Sequence, residues 1–279
     1  MRKYLIFVMA GYLFTIGFSL KSMALADVYI KESLTIEESA FGWVISARKS
    51  ILEAWMDGQR IAAYLSDMEG NLSESIIVQK DEGRMYLIDH TNMEYEIMDY
   101  PPSEDDIDIA SLDIVSLLMR FGFKNANVQI IQMNETRFIN NLMCSKYQLE
   151  VAFNMAHVTS EIWASHDLGV DKYFSVDPNI IIKSTPSSFR SVVTDIVDAY
   201  DSIDGFPVLA TINLKSGMVG GKVIFELLDY SKTQPPEEIY KVPFGYALSD
   251  AKKTRKFLMD KYQIYRFEAS RGIIPSDYD

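Results

Sequence analysis

The feature that most constrains this chain is a run of strict alternation near its middle. Met143, Tyr147, Leu149, Val151 and Phe153 share one parity, and Cys144, Lys146, Gln148, Glu150 and Asn154 share the other. Successive side chains leave opposite faces of a strand, so this period of two predicts one apolar face and one wet face. Segments 128–133 and 158–165 flank it across short turns. Residues 127–166 therefore read as a β-meander. A sheet with an apolar face has to cover it, either with the protein's own core or with a ligand.

The rest of the chain follows the same plan. Residues 28–98 read as an antiparallel meander with a long strand region at 41–56. Asp57-Gly58, Glu69-Gly70-Asn71, Asp81-Glu82-Gly83 and His90-Thr91-Asn92 punctuate it. Turn signals at roughly ten-residue spacing mark sandwiches, barrels and open barrels. At Asp57-Gly58 the glycine is expected to accept the positive φ of a tight hairpin. Later strands are expected at 206–215 and 222–230, an extended segment at 237–246, and a last helix from about Asp250, capped by Ser249.

Two further helices are expected to lie flat on the sheet. Pro101-Pro102 ends the first meander, and Ser103 to Asp106 opens a segment, 107–121, whose Ile114, Leu117, Leu118 and Phe121 share a helical face. The acidic cluster suits the positive end of that helix. Ser187 or Ser188 caps a second helix running to about Asp201. Its apolar positions, Phe189, Val192, Val193, Ile196, Val197 and Tyr200, all fall on one face. A closed barrel filled by its own side chains does not need two such helices, whereas an open, curved sheet does. The expected fold is mainly β (α+β): an incomplete antiparallel β-barrel, a half-barrel of roughly ten strands, with helices covering the concave face.

Arg2 and Lys3, the apolar run 4–20 and Ala24-Leu25-Ala26 have the three parts of a secretory signal peptide, with cleavage after Ala26. The competing reading is an uncleaved anchor, for which the run is near the lower limit of length. The only cysteine, Cys144, is far from the cleavage site, so no lipid-bearing cysteine follows it. Removing 26 residues, with Arg2, Lys3 and Lys21 among them, leaves 253 and takes the formal net charge from −12 to −15. The expected organisation is a signal peptide 1–26, one β domain 27–246, and a C-terminal helix and tail 247–279. The expected compartment is the periplasm. So acidic a chain argues against nucleic acid and anionic membrane surfaces, and no stable membrane insertion is expected after cleavage.

A search for chemistry finds little. His157 and His166 are nine residues apart on one strand, and odd spacing puts them on opposite faces. No paired metal-ligand motif, nucleophile elbow or phosphate loop is present. No catalytic residue, metal or cofactor is expected. What remains is apolar surface. The residues expected to line or roof a cavity are Tyr147, Leu149 and Val151 on the sheet and Leu118 and Phe121 on the first helix. On the second helix they are Phe189, Val193, Ile196, Val197 and Tyr200. Periodicity alone leaves a ligand cavity and a filled core equally open.

Several short pieces, in order, carry a resemblance. They are Trp55-Met56-Asp57-Gly58-Gln59-Arg60; residues 81–89 with Asn92-Met93-Glu94-Tyr95; Glu135-Thr136, Ile139, Cys144 and Tyr147; Glu161-Ile162-Trp163-Ala164-Ser165; residues 204–208; and Val242-Pro243-Phe244-Gly245-Tyr246. Over about residues 27–246 the chain resembles the periplasmic lipoprotein-carrier superfamily of the LolA/LolB type. It is closer still to secreted bacterial domains of unknown function that share that fold. The resemblance implies a half-barrel over helices that holds an acyl chain, lipid or lipidated protein, without catalysis. This chain is longer than those carriers beyond Tyr246, and no single lipid-contacting residue can be matched. The alternative is an envelope interaction or scaffold protein with a filled core and an acidic surface.

Overall fold

The computed structural model describes residues 27–100, 127–152, 156–168, 182 and 190–249. Leu118, Phe121 and Phe189, the expected helix 107–121, the signal segment and the expected C-terminal helix lie outside these residues. The first six strands are β1 (Val28–Ala40), β2 (Trp43–Asp57), β3 (Arg60–Asp67), β4 (Leu72–Gln79), β5 (Arg84–Asp89) and β6 (Glu94–Asp99). Then come β7 (Asn127–Ile139), β8 (Leu142–Ala152), β9 (His157–Ser165), the helix α1 (Arg190–Asp201), β10 (Phe206–Ser216), β11 (Val219–Ser231), a 3₁₀ turn (Glu237–Tyr240) and β12 (Ala247–Leu248).

All twelve strands form one open sheet, in the order β12-β6-β5-β4-β3-β2-β1-β11-β10-β9-β8-β7. Every pairing is antiparallel except the short parallel one between β12 and β6. The mainly-β, open-sheet expectation holds; the count of roughly ten does not. Phe41 and Gly42, both at positive φ, make a two-residue turn, so the region expected as one strand from residue 41 begins only at Trp43. Glu237–Tyr240 is a 3₁₀ turn behind Pro236 rather than extended chain. Among the described residues one helix, not two, covers the sheet.

Local chemistry sets most turns. Asp57 holds the first expected hairpin with its own carboxylate, which accepts from the backbone N–H of Gln59 at 3.1 Å and of Arg60 at 2.8 Å. Gly58 is not among the glycines at positive φ, so the turn forms through an aspartate side chain rather than through glycine's freedom. At the β7–β8 turn Asn140 and Asn141 both adopt positive φ, the conformation that two-residue hairpins favour. Gly220 lies within β11, where a Cβ would meet Ser39 Oγ at 2.9 Å and Leu214 O at 3.0 Å. Its role there is close approach of neighbouring strands.

The two meanders meet where β1 pairs with β11, so residues near the two ends of the described chain sit side by side at the centre of the sheet. Two apolar clusters follow from this. One joins Val28, Ile30, Met56, Ile61 and Val78 to Leu142, Cys144, Trp163 and Val208. The other joins Leu34, Leu52 and Leu65 to Tyr147, Ile162, Phe225 and the helix residues Val197 and Tyr200. The β7–β8 turn reaches inward: Asn140 Nδ2 donates to the carbonyl of Leu227 on β11, three strands away.

That reach corrects the simple alternation of β8. From Tyr147 onward the expected face is buried, with Tyr147, Leu149 and Val151 at 3 % exposure or less. Nearer the turn the parity reverses: Leu142 and Cys144 are buried and Met143 is exposed. The turn end of the hairpin packs into the first cluster through its other face. Burial accordingly raises the Cys144 thiol pKa, and its Sγ lies 3.4 Å from Leu142 O.

Candidate functional site

Cross-strand register builds the candidate site. Residues directly opposite on paired strands share a face, and three successive rows of such residues run across the sheet beside α1. The inner row is Leu34, Phe225, Ala210, Ile162 and Tyr147. The middle row is Ile36, Val223, Ile212, Ser160, Leu149 and Ile130. The outer row is Gly221, Leu214, Val158, Val151 and Val128.

Burial falls along these rows on β1, β11 and β10, whereas Leu149 and Val151 on β8 and Ser160 on β9 stay buried. All five inner-row residues are buried. In the middle row Ile36, Val223, Ile212 and Ile130 are only half-buried, as are Leu214, Val158 and Val128 in the outer row. The helix shows the same gradient. Val192, Val197 and Tyr200 are buried, whereas Val193 and Ile196 are half-buried against the same cluster. Apolar surface in contact with water carries an unfavourable free energy in proportion to its area. The half-buried residues thus form an apolar strip beside a packed inner zone, its surface incompletely withdrawn from water.

Of the sequence-derived candidates, Tyr147, Leu149, Val151, Val193, Ile196, Val197 and Tyr200 all gather in this one cluster. Polar groups at its end fix the helix. Tyr147 Oη accepts from the Asp204 N–H at 3.3 Å, just past the end of α1, and Arg190 Nε donates to Ile182 O at 3.1 Å. Burial, with a smaller contribution from Glu32, raises the Tyr200 hydroxyl pKa well above its ordinary value. Glu32 and Glu74 are themselves buried on the apolar face. In the cross-strand rows Glu32 lies between Leu227 and Leu52, and Glu74 between Leu65 and Asp89.

On the opposite face of β3–β6 a second cover is built from residues 237–246. Tyr240, Ile239, Val242 and Tyr246 pack on Ala62, Ile77 and Ile88. Tyr64 Oη donates to Ile239 O, Gln79 Nε2 donates to Tyr240 O at 3.2 Å, and the Arg60 guanidinium lies 4.2 Å from the Tyr240 ring centroid. Arg60 also forks onto Glu237 at 2.5 and 2.9 Å, which holds that carboxyl below the usual range.

This strap contains an arrangement that sequence reading missed. Ser75 Oγ lies 2.9 Å from His90 Nε2, and His90 Nδ1 lies 2.9 Å from Tyr246 Oη. The three residues are far apart in sequence, and no spacing rule joins them. A serine beside a histidine suggests a nucleophile and its base. Ser75, however, is 1 % exposed beneath the strap, so no substrate reaches its oxygen. The chain of hydrogen bonds fastens the strap to the sheet. Among the described residues no group of three or more His, Cys, Asp or Glu could hold a metal ion.

No family model matches this chain, and no curated protein matches it. Among solved structures, PNGF-II aligns with 83 % of the chain at 11 % identity and a TM-score of 0.33; the chain spans 32 % of that protein's length. An uncharacterised conserved protein from Thermus thermophilus aligns with 79 % of the chain and 90 % of its own, at 6 % identity and a TM-score of 0.35. At such scores neither likeness bears on fold or function.

Proposed function

We propose that this protein is a non-catalytic binding or carrier protein that holds an acyl chain, a lipid or a lipidated protein against the apolar face beside α1. One observation carries the reading: the half-buried strip of Ile36, Val223, Ile212, Val158, Val193 and Ile196, continuous with a packed inner zone. An acyl chain laid along the strip would withdraw the remaining apolar surface from water, at roughly 25 cal/mol per Å². The reading includes a half-barrel shape, kinship with the LolA/LolB-type carriers, and export to the periplasm after cleavage at Ala26. The resemblance described above and the signal-like start of the chain support these three parts.

Titration with a fluorescent fatty acid tests the proposal, together with native mass spectrometry of protein purified from an envelope extract. Saturable binding, and a bound lipid mass lost on delipidation, are expected. A single unliganded mass with no probe displacement would sink the carrier reading. The packed inner row favours a second reading, a scaffold protein of the envelope whose core is filled. In that case the probe finds no site, and a pull-down of a basic partner falls steeply with salt.

A further inference from the structure

We propose that the paired tips of the β1–β2 and β10–β11 hairpins form an insertion point for an anionic lipid surface. This goes beyond the carrier reading and does not rest on it. The two tips touch: Phe41 N donates to Met218 O at 2.7 Å, and Ala40 pairs with Val219. Together they carry Phe41, Trp43, Val44, Ile45 and Met218, each between 61 % and 77 % exposed. Single exposed apolar residues are ordinary, but five large ones on two adjacent tips are not. Phe41 also occupies a positive-φ turn position where asparagine or glycine is the usual residue.

Shape selects the partner. β3 ends at Asp67, opposite Ser50, so residues 43–49 of β2 run on beyond it by about 20 Å at the rise of a strand. Trp43 and Val44 leave opposite sides of this projection, and β2 is bulged at Ile45, between the pairs Val44–Ser39 and Ser46–Glu38. A rigid protein surface seats one side of a hairpin. A fluid apolar phase closes around both.

Charge selects the same partner. The chain has 39 acidic and 27 basic residues, yet residues 41–52 and 205–225 contain no carboxylate. They contain Arg48, Lys49, Lys215 and Lys222. The nearest acids, Glu37 and Glu38, sit on the intervening β1, with Glu37 opposite Lys222. An apolar tip with a basic collar matches the order of layers at a membrane surface, hydrocarbon first and anionic headgroups above it. The net negative charge of the whole chain restrains non-specific adsorption and leaves this local attraction in place.

Trp43 reports on its own contact, because Trp163 is 4 % exposed and Trp55 is half-buried between Tyr29 and Tyr64. The test uses the full chain and vesicles of phosphatidylglycerol and phosphatidylcholine brominated on their acyl chains. Tryptophan emission should shift to the blue and be quenched, and Trp43→Phe should abolish the quenching while the protein still binds. Ile45→Ser with Phe41→Ser, leaving Trp43 in place, should weaken the quenching titration on the order of tenfold or more. Lys49→Gln should weaken it roughly fivefold. Three results overturn the proposal. One is vesicle binding with Trp43 unquenched, which assigns the contact to the apolar N-terminal run. Another is equal quenching on uncharged vesicles. The third is a stable dimer without lipid that buries Trp43, which assigns residues 43–49 to a second copy.

Discussion

On one face of the sheet α1 rests on Tyr147, Leu149 and Val151 through valine, isoleucine and tyrosine side chains, with polar contacts at its ends to Ile182 and, just beyond it, from Asp204 to Tyr147. On the other face residues 237–246 cross β3–β6 on a series of directed bonds: Arg60 to Glu237, Tyr64 to Ile239, Gln79 to Tyr240, Ser75 through His90 to Tyr246, and the β12 ladder on β6. Apolar contact has no preferred direction, whereas hydrogen bonds weaken steeply off their geometry. A cover held mainly by the first kind of force, as α1 is between its end contacts, can shift at little directional cost. A cover held by the second kind is fixed in register. That contrast favours the face beside α1 for the proposed ligand and makes the strap a structural clamp.

The largest test of the contrast compares two neighbouring valines of α1. Val197→Asp should cost about 4 kcal/mol and lower the melting temperature sharply, because it buries an unpaired charge in the packed zone. Val193→Asp, at a half-buried site, should cost far less stability while reducing fatty-acid probe binding more than its small loss of stability accounts for. Equal losses in both melts would erase the distinction between packed zone and open strip. On the strap, Tyr240→Ala should cost about 3 kcal/mol by emptying the space between Arg60 and Ile77, with probe binding unchanged.

A smaller effect of opposite sign is expected at the same residue. Tyr240 Oη is buried with no hydrogen-bond partner among the described residues. Tyr240→Phe should therefore raise stability by about 1 kcal/mol, since it removes a desolvated hydroxyl and keeps the ring under Arg60. A lower melting temperature would show that the hydroxyl is satisfied in solution.

The smallest effect is a pH dependence of the clamp. Burial lowers the His90 pKa below its ordinary 6.5, with Asp89 partly offsetting the shift. The folded state then resists protonation more than the unfolded chain does. The contribution of His90 is complete above pH 6.5 and is lost as pH falls below that value toward the lowered folded pKa. Denaturant midpoints measured between about pH 7.5 and 5 should fall, and His90→Gln should flatten that part of the profile. Hydrogen exchange should show the loss first in β6 and residues 237–249, with α1 unaffected.

Much of the sheet was legible because its determinants are local. Alternation from Tyr147 to Val151 marks the buried face of β8, and Asp57, Asp67 and Asp89 mark turns by capping the backbone within four residues. The face of α1 was legible for the same reason. Three features were not. The pairing of β1 with β11 joins residues almost two hundred apart. The parity reversal at Leu142 and Cys144 follows from the reach of Asn140 to Leu227. The serine–histidine–tyrosine chain needs a strap whose path no periodicity encodes.

Net charge shows the same division. As an average over the chain it argues against anionic surfaces, yet the two acid-free segments, 41–52 and 205–225, come together only after β1 pairs with β11. Sequence alone determined where most strands and turns fall, and the apolar faces of α1 and of β8 from Tyr147 onward, because these depend on neighbours within a few positions. The tertiary structure alone decided which strands adjoin, which apolar surface stays half-covered and which polar groups meet, because contacts between distant segments depend on how the whole chain closes on itself.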